Sequence, residues 1–138
     1  MNPLATAGQG AESPLLNDRD ARGVHTLTLN TPKRFNVLGE TMLGALEAAL
    51  EQVRADPQAR VVVLAAAGKA FCAGHDLKEM KAQNDLAYFQ ALFARCSRLM
   101  LSLQQLPVPV VAKVQGLATA AGCQLVAQCD LTVSVDTA

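Results

Sequence analysis

The residues best suited to chemistry lie in a seven-residue stretch, 71–77, where an apolar approach, a glycine and an acidic helix start follow one another. Gly74 permits backbone angles that a side chain would forbid, and Asp76 opens a segment with the acidic residues typical of a helix N-terminus. Because the first N–H groups of a helix have no partner inside it, such a turn can hold an anion. In isolation, the same pattern is also ordinary turn chemistry.

A second stretch, residues 116–124, repeats this order further along the chain. Gly116 turns the chain after an apolar run, and the small residues around Ala121 begin a helix whose backbone a ligand could touch. If the two helix starts converge, two main-chain N–H groups can point at one oxygen, which is the geometry of an oxyanion hole. The alternative is that the small residues serve tight helix packing.

Strands and helices alternate around these stretches, as the periods of the apolar residues indicate. Such alternation predicts an α/β unit with largely parallel strands. In chain order we predict a strand at 24–29, a helix at 39–55, a strand at 61–65, a helix start at 76, a helix from 84 or 85 to 106, a strand at 110–114, a helix at 120–129 and a strand at 131–135.

The N-terminal residues 1–22 mix small and polar types without a period, which predicts a flexible leader and places the domain at residues 23–138. The first predicted strand, 24–29, alternates apolar and polar positions, so that one face should be buried. We place His25 on the polar side of this strand, as a solvated residue without a catalytic role.

The bulk composition excludes several classes of protein. The 138 residues are 51% hydrophobic and carry twelve basic and twelve acidic side chains, and without a basic patch no nucleic-acid partner is expected. No apolar run approaches the ~20 residues that span a bilayer, and no signal peptide is recognisable. We therefore predict a cytoplasmic location without a membrane partner.

The four cysteines, Cys72, Cys96, Cys123 and Cys129, lack the paired short spacings of a zinc site, and no metal is expected. Buried free thiols in a reducing compartment are the simpler interpretation. A nucleophilic Cys72 or Cys123 would need an activating base that the sequence does not display.

Taken together, residues 29–36, 70–80, 107–116 and 121–130 resemble, in order and spacing, the enoyl-CoA hydratase/isomerase (crotonase) family, and within it the branch of enoyl-CoA hydratase domain-containing proteins. The resemblance runs from about residue 24 to the end of the chain. It implies a crotonase-like α/β fold with a spiral core of repeated ββα units, of which this chain would hold the N-terminal part, truncated before the C-terminal helical region.

The same resemblance implies a site. It assigns the oxyanion hole to the backbone N–H groups of His75 and Ala121, which would hold the thioester carbonyl of an acyl-CoA, so that the imidazole of His75 need do no chemistry. Coenzyme A would be part of the substrate, and no other cofactor is implied. Lys33 or Arg34 could meet its phosphates. The residues that would line the bound coenzyme A are Arg34, Phe35, Val37, Ala73, Asp76, Leu77 and Leu117.

Two departures from the family pattern bear on the reaction. Hydratases of the family have a glutamate where this chain has Gln124, and an amide cannot take a proton from water at neutral pH. Hydration is therefore expected to be weak or absent. The open alternatives are an isomerase or related enolate-forming enzyme, a catalytically silent acyl-CoA binder or scaffold, and an inactive fragment.

The second departure is length, because family members are roughly twice as long. The part beyond Ala138 would carry a second carboxylate and the helices that build a homotrimer or a dimer of trimers in the full-length protein. We therefore expect a truncated product or fragment.

Overall fold

The computed structural model describes residues 12–138, which form seven strands, four α-helices and one 3-10 turn. The strands are β1 (Leu15–Arg19), β2 (Val24–Leu29), β3 (Val61–Ala66), β4 (Ala70–Cys72), β5 (Val110–Val114), β6 (Leu117–Ala118) and β7 (Leu131–Ser134). The helices are α1 (Glu40–Ala55), α2 (Leu77–Gln83), α3 (Leu86–Gln104) and α4 (Ala121–Ala127), and the 3-10 turn is Pro32–Arg34.

Five of the strands form one sheet in the order β1-β2-β3-β5-β7. The pairs β2·β3, β3·β5 and β5·β7 are parallel, and only the edge pair β1·β2 is antiparallel. Crossovers through helices generate this arrangement, because parallel neighbours need a long connection. The predicted α/β unit with largely parallel strands is confirmed.

The core lies between the sheet and the two long helices, α1 and α3. The apolar stripe of α1 packs against β1 and β2, and residues of α3 at helical spacing complete the same cluster. Fully burying one such leucine stabilises the fold by about 1.5–3 kcal/mol. The buried stripes comprise Leu43, Leu46, Leu50 and Val53 of α1, Leu92, Cys96, Leu99 and Leu103 of α3, and Leu27, Val62 and Leu64 of the sheet.

The predicted leader is wrong where the structure describes it, and residues 1–11 lie outside the described residues. Strand β1 pairs with β2 in register, with Leu15 opposite Leu29. Leu15 is the one buried residue of β1, so the strand carries no alternating apolar pattern that the sequence could reveal. Backbone pairing with β2 orders it instead, and the domain begins before residue 23.

The predicted position of His25 is also wrong. His25 is only 5% exposed, and it shares the buried face of β2 with Leu27 and Leu29, while the threonines occupy the other face. Its Nε2 lies 2.8 Å from Oδ2 of Asp56, and Nε of Arg19 donates to the same oxygen at 2.7 Å. A carboxylate supplied from the end of α1 therefore makes a buried histidine tolerable.

The Asp56 cluster predicts a pH dependence of stability. Hydrogen bonds from His25 and then Arg19 lower the pKa of Asp56 to about 2 from the model-peptide value of 3.8. A carboxylate whose pKa is lower in the folded state stabilises the fold fully above its unfolded pKa and loses that contribution as pH falls toward the folded pKa. Asp56→Asn should therefore flatten the fall in the free energy of unfolding between about pH 5 and about pH 3, measured by urea titration.

Asp18→Asn is the matched control, since it removes the same charge from an exposed position of β1. If Asp56→Asn and Asp18→Asn gave the same slope as the parent chain, the Asp56 cluster would not be a source of acid sensitivity.

Candidate active site

The two glycine stretches lie side by side because the short strands before them pair with each other. Strand β4 runs parallel to β6 in a separate two-stranded sheet, and the N–H of Thr119 donates to the carbonyl of Cys72 at 3.0 Å. The carboxyl ends of parallel strands lie at the same edge of a sheet, so the loop 73–76 and the turn 119–122 emerge together. Neither strand was predicted, since three and two residues are too short to show a period.

Two glycines set the closeness of this approach. Gly74 has φ +98°, and a Cβ on it would lie 3.0 Å from Cβ of Ala120 and 3.3 Å from N of Ala121. A Cβ on Gly122 would lie 2.1 Å from the carbonyl oxygen of Cys72, well inside van der Waals contact. Helix α4 therefore starts against β4 at a distance that only glycine permits.

The turn before α4 has an unusual backbone. The N–H of Gly122 donates to the carbonyl of Thr119 at 2.9 Å, and Ala120 has φ 51° and ψ −127°. This is the first central position of a type II′ turn, where glycine is the usual residue. Strain of this kind persists only where surrounding structure enforces it, and it is concentrated at functional sites.

The main-chain N–H groups of His75 and Ala121 have no hydrogen-bond acceptor in the described part of the chain. Among the hydrogen bonds formed within residues 12–138, none is donated by either group. Ala121 is the first residue of α4, where an N–H has no intrahelical acceptor. Two unpaired donors therefore flank the contact between Gly74 and Ala121.

Asp76 fixes the other side of the site. Its carboxylate is buried and caps α2 by accepting from the N–H groups of Lys78 and Glu79 at 3.1 and 3.2 Å. Its second oxygen forms an ion pair with the guanidinium of Arg34. The pair ties the loop after β2 to the start of α2, and capping of this kind is worth about 1 kcal/mol.

Asn36 also fixes this loop, a role that the sequence did not predict. It is fully buried with φ 52°, donates from Nδ2 to the carbonyls of Ala67 and Ala70, and accepts from the N–H of Thr31 at 2.8 Å. In the sequence, only the residue type of Asn36 could indicate this conformation, since asparagine adopts the left-handed region more readily than most other residues with a side chain. Asn36 thus joins the loop to the start of β4.

An open cleft of about 300 Å³ lies between these loops. It is lined by Lys33, Arg34, Phe35, Val37, Ala73, His75, Asp76, Leu77 and Lys78. Six of the seven residues predicted to line coenzyme A are among them. Leu117 is not, and its side chain is 58% exposed on β6. Three cations against one carboxylate give the cleft a positive balance.

Gln124 lies on α4, one turn after Ala121, with an exposed side chain. Within the described part of the chain its amide makes no side-chain hydrogen bond, and the residue is not part of the cleft lining. The structure therefore places Gln124 on the helix that supplies one unpaired N–H, with its side chain outside the cleft.

The cysteines divide into buried and accessible thiols. Cys72 and Cys96 are buried, Cys129 is half-buried, and Cys123 is exposed, so the prediction of buried thiols is wrong for Cys123. Burial raises the pKa of Cys72 to about 11, and burial followed by the charge of Asp130 does the same for Cys129. Both thiols are therefore protonated near neutral pH and unsuited to nucleophilic attack.

The α/β sheet and the two neighbouring glycine-bounded loops lie in one matched region of the chain. Residues 19–138 match the enoyl-CoA hydratase/isomerase family. The chain belongs to this family, and its crotonase-like fold is confirmed by solved structures.

The relatives match most of this chain and are longer than it. Enoyl-CoA hydratase domain-containing protein 3, mitochondrial, is 42% identical over 124 residues in Xenopus laevis and 36% identical over 135 residues in human. These alignments cover 90% and 98% of this chain but 42% and 45% of the relatives. The chain thus spans less than half the length of these curated relatives. They are named as mitochondrial, whereas the cytoplasmic location expected for this chain stays a prediction.

Two solved structures show the same correspondence. An enoyl-CoA hydratase from Mycobacterium smegmatis superposes with a TM-score of 0.88 at 61% identity, covering 89% of this chain and 48% of that one. Human enoyl-CoA hydratase domain-containing protein 3 superposes with a TM-score of 0.82 at 39% identity, covering 88% and 47%. Separately, none of the helices between residues 12 and 138 combines the length and apolar character needed to cross a membrane.

The close approach at Gly122 yields a stability prediction. Gly122→Ala places a methyl group against the carbonyl of Cys72 and should lower the free energy of unfolding by about 1–3 kcal/mol, despite the better helix propensity of alanine. Chemical denaturation followed by far-UV circular dichroism measures the change.

Gly44→Ala is the matched control in another helix, because the added Cβ would meet only the guanidinium end of Arg95 at 3.1 Å. We expect stability to be unchanged or raised by up to about 1 kcal/mol. Equal effects of the two substitutions would mean that the contact between α4 and β4 is not tight.

Proposed function

We propose that this chain binds the thioester group of an acyl-CoA, with the carbonyl oxygen held between the main-chain N–H groups of His75 and Ala121. The observation that supports the proposal is the close approach at Gly74, the residue before His75, where an added Cβ would lie 3.3 Å from N of Ala121. Neither N–H has an acceptor among residues 12–138. Two donors aimed at one oxygen stabilise the negative charge that develops there when a thioester becomes an enolate.

The rigid backbone around the site supports this role. The strained turn at Ala120 and the glycine at position 74 are held by the β4·β6 pairing, so little reorganisation is needed when charge develops. A preorganised donor of this type is worth about 2.7–4 kcal/mol in the transition state.

We further propose that coenzyme A occupies the cleft beside these donors. Arg34 shares its charge with Asp76, whereas Lys33 and Lys78 take part in no ion pair among residues 12–138. The two lysines and Arg34 would face the phosphates, and the exposed Phe35 and Leu77 would cover apolar parts of the ligand.

The reaction proposed is enolate formation, as in an isomerase or related enzyme, with hydration weak because Gln124 cannot transfer a proton. The second candidate is an acyl-CoA binder without turnover, which the neutral side chain of Gln124 favours. A cytoplasmic location and a homotrimer or dimer of trimers for the full-length protein are parts of the same proposal.

Binding and turnover of two thioesters separate the candidates. Calorimetric titration with acetyl-CoA reports binding, and loss of the enoyl absorbance of crotonyl-CoA reports hydration. Binding without turnover would exclude hydratase activity, and the remaining candidates would be an acyl-CoA binder or an enzyme of another enolate reaction. If acetyl-CoA did not bind, the proposed function would fail.

Removing a main-chain donor tests the oxyanion hole itself. Ala121→Pro deletes the N–H of Ala121 at the first position of α4, where proline is compatible with a helix. We expect weaker binding of acetyl-CoA and, where turnover is measurable, a loss on the order of 10²- to 10³-fold in kcat.

Leu86→Pro is the matched control, since it deletes the corresponding N–H at the first position of α3, after an extended Asp85 and far from the donor pair in sequence. Ala120, which precedes the new proline, has a positive φ, so folding of the variant has to be checked. Far-UV circular dichroism makes this check for both variants. A folded Ala121→Pro that bound and reacted like Leu86→Pro would exclude the assigned donor.

A carboxylate at position 124 tests why hydration should be weak. Gln124→Glu supplies a group that can accept a proton from water, and crotonyl-CoA hydration should rise above that of the parent chain. Gln124→Ala is the control that removes the amide without adding a base. The assay is the decay of enoyl absorbance, and equal rates in both variants would show that the carboxylate alone does not restore hydration.

A further inference from the structure

The side chain of His75 has surroundings that the proposed role of its backbone does not explain. It lines the cleft, and its ring lies edge-on against Phe93 of α3, with centroids 5.3 Å apart and planes at 69°. Its Nδ1 is buried without a hydrogen-bond partner in the described structure. Four buried side-chain atoms between residues 12 and 138 lack a partner, and His75 is the one of their residues that lines the cleft. A buried polar atom without a partner calls for an explanation such as catalysis or a missing ligand.

The two carboxylates that follow His75 in the chain, Asp76 and Glu79, and the hydroxyl of Tyr88 are already engaged. Asp76 caps α2 and pairs with Arg34. Glu79 accepts from the N–H of Glu40 and from the hydroxyl of Tyr88, both at 3.0 Å, while burial and then Glu79 raise the pKa of Tyr88 to about 12. Each of these groups therefore forms structural hydrogen bonds that would be lost if the group transferred a proton.

We propose that the imidazole of His75 transfers the proton at the α-carbon of the bound acyl-CoA. This inference rests on the proposed function, since it requires a thioester whose oxygen lies at the N–H of the same residue. The ring would supply the acid–base group that Gln124 cannot be.

Connectivity places the ring and the reacting carbon close together. The thioester oxygen would lie about 2.9 Å from the backbone nitrogen of His75, and the α-carbon is two bonds from that oxygen. The imidazole begins one carbon beyond the Cα that follows this nitrogen, and the residue lines the cleft beside the proposed position of the thioester. The edge contact with Phe93 limits the ring to one side.

The step balances without an oxidant or a metal. A neutral imidazole nitrogen takes the α-hydrogen as a proton, and the electron pair of the broken C–H bond passes to the thioester oxygen, giving the enolate. The imidazolium then returns a proton either to the α-carbon, which is exchange, or to the γ-carbon of an enoyl chain, which moves the double bond.

Hydrogen–deuterium exchange of acetyl-CoA tests this role. The chain is incubated with acetyl-CoA in deuterated water, and the loss of the acetyl methyl signal is followed by proton NMR while calorimetry reports affinity. His75→Ala retains the backbone N–H, so binding should persist while exchange falls on the order of 10²- to 10⁴-fold. Added imidazole should restore part of the rate in His75→Ala.

His75→Asn is the matched polar control, because an amide can form hydrogen bonds but cannot carry the proton, and it should lose exchange without rescue by imidazole. Parent-like exchange in His75→Ala, with binding intact, would overturn the role of the ring and leave the proposed function standing. Binding without exchange in the parent chain would also overturn it and favour the silent binder. Absence of binding in the parent chain would overturn both proposals.

Discussion

The contact between Gly74 and the turn at Ala120 and Ala121 is the constraint on which the site depends. It exists because β4 pairs with β6, and because a side chain at Gly74 or Gly122 would collide with backbone or Cβ atoms 2.1–3.3 Å away. The two N–H groups that lack an acceptor among the described residues and the strained φ of Ala120 both lie at this contact. The main sheet and its helices hold this small sheet in place.

A second set of interactions keeps the cleft open beside the donors. The carboxylate of Asp76 serves both the N-terminus of α2 and the guanidinium of Arg34, and Asn36 joins the same loop to the backbone around Ala70. The buried side chains of Asp76 and Asn36 are satisfied by backbone groups, and Asp76 also by Arg34, which makes the loop geometry specific. A loop held in this way presents Lys33 and Phe35 to a ligand at little further cost in conformational entropy.

How much could be foreseen from the sequence depended on whether a feature was local. Helix α1, the start of α3 at residue 84 or 85 and the alternation that indicates parallel strands were predicted, because apolar period and capping chemistry depend on neighbouring residues. Six cleft-lining residues came from the family resemblance. β1, the pairing of β4 with β6, the burial of His25 and the bonds of Asn36 were missed, since each depends on a partner distant in the chain and shows no period of its own.

The backbone and the side chains of the site have different requirements, and only those of the backbone are features of the family fold. Main-chain donors are set by glycine positions, strand pairing and turn geometry, all of which tolerate wide changes in side chains. Proton transfer, in contrast, needs a particular side chain in a particular place. Position 124 carries an amide one turn after one donor, and position 75 carries an imidazole on the residue of the other. A site built in this way can bind a thioester through its backbone whichever residue transfers the proton.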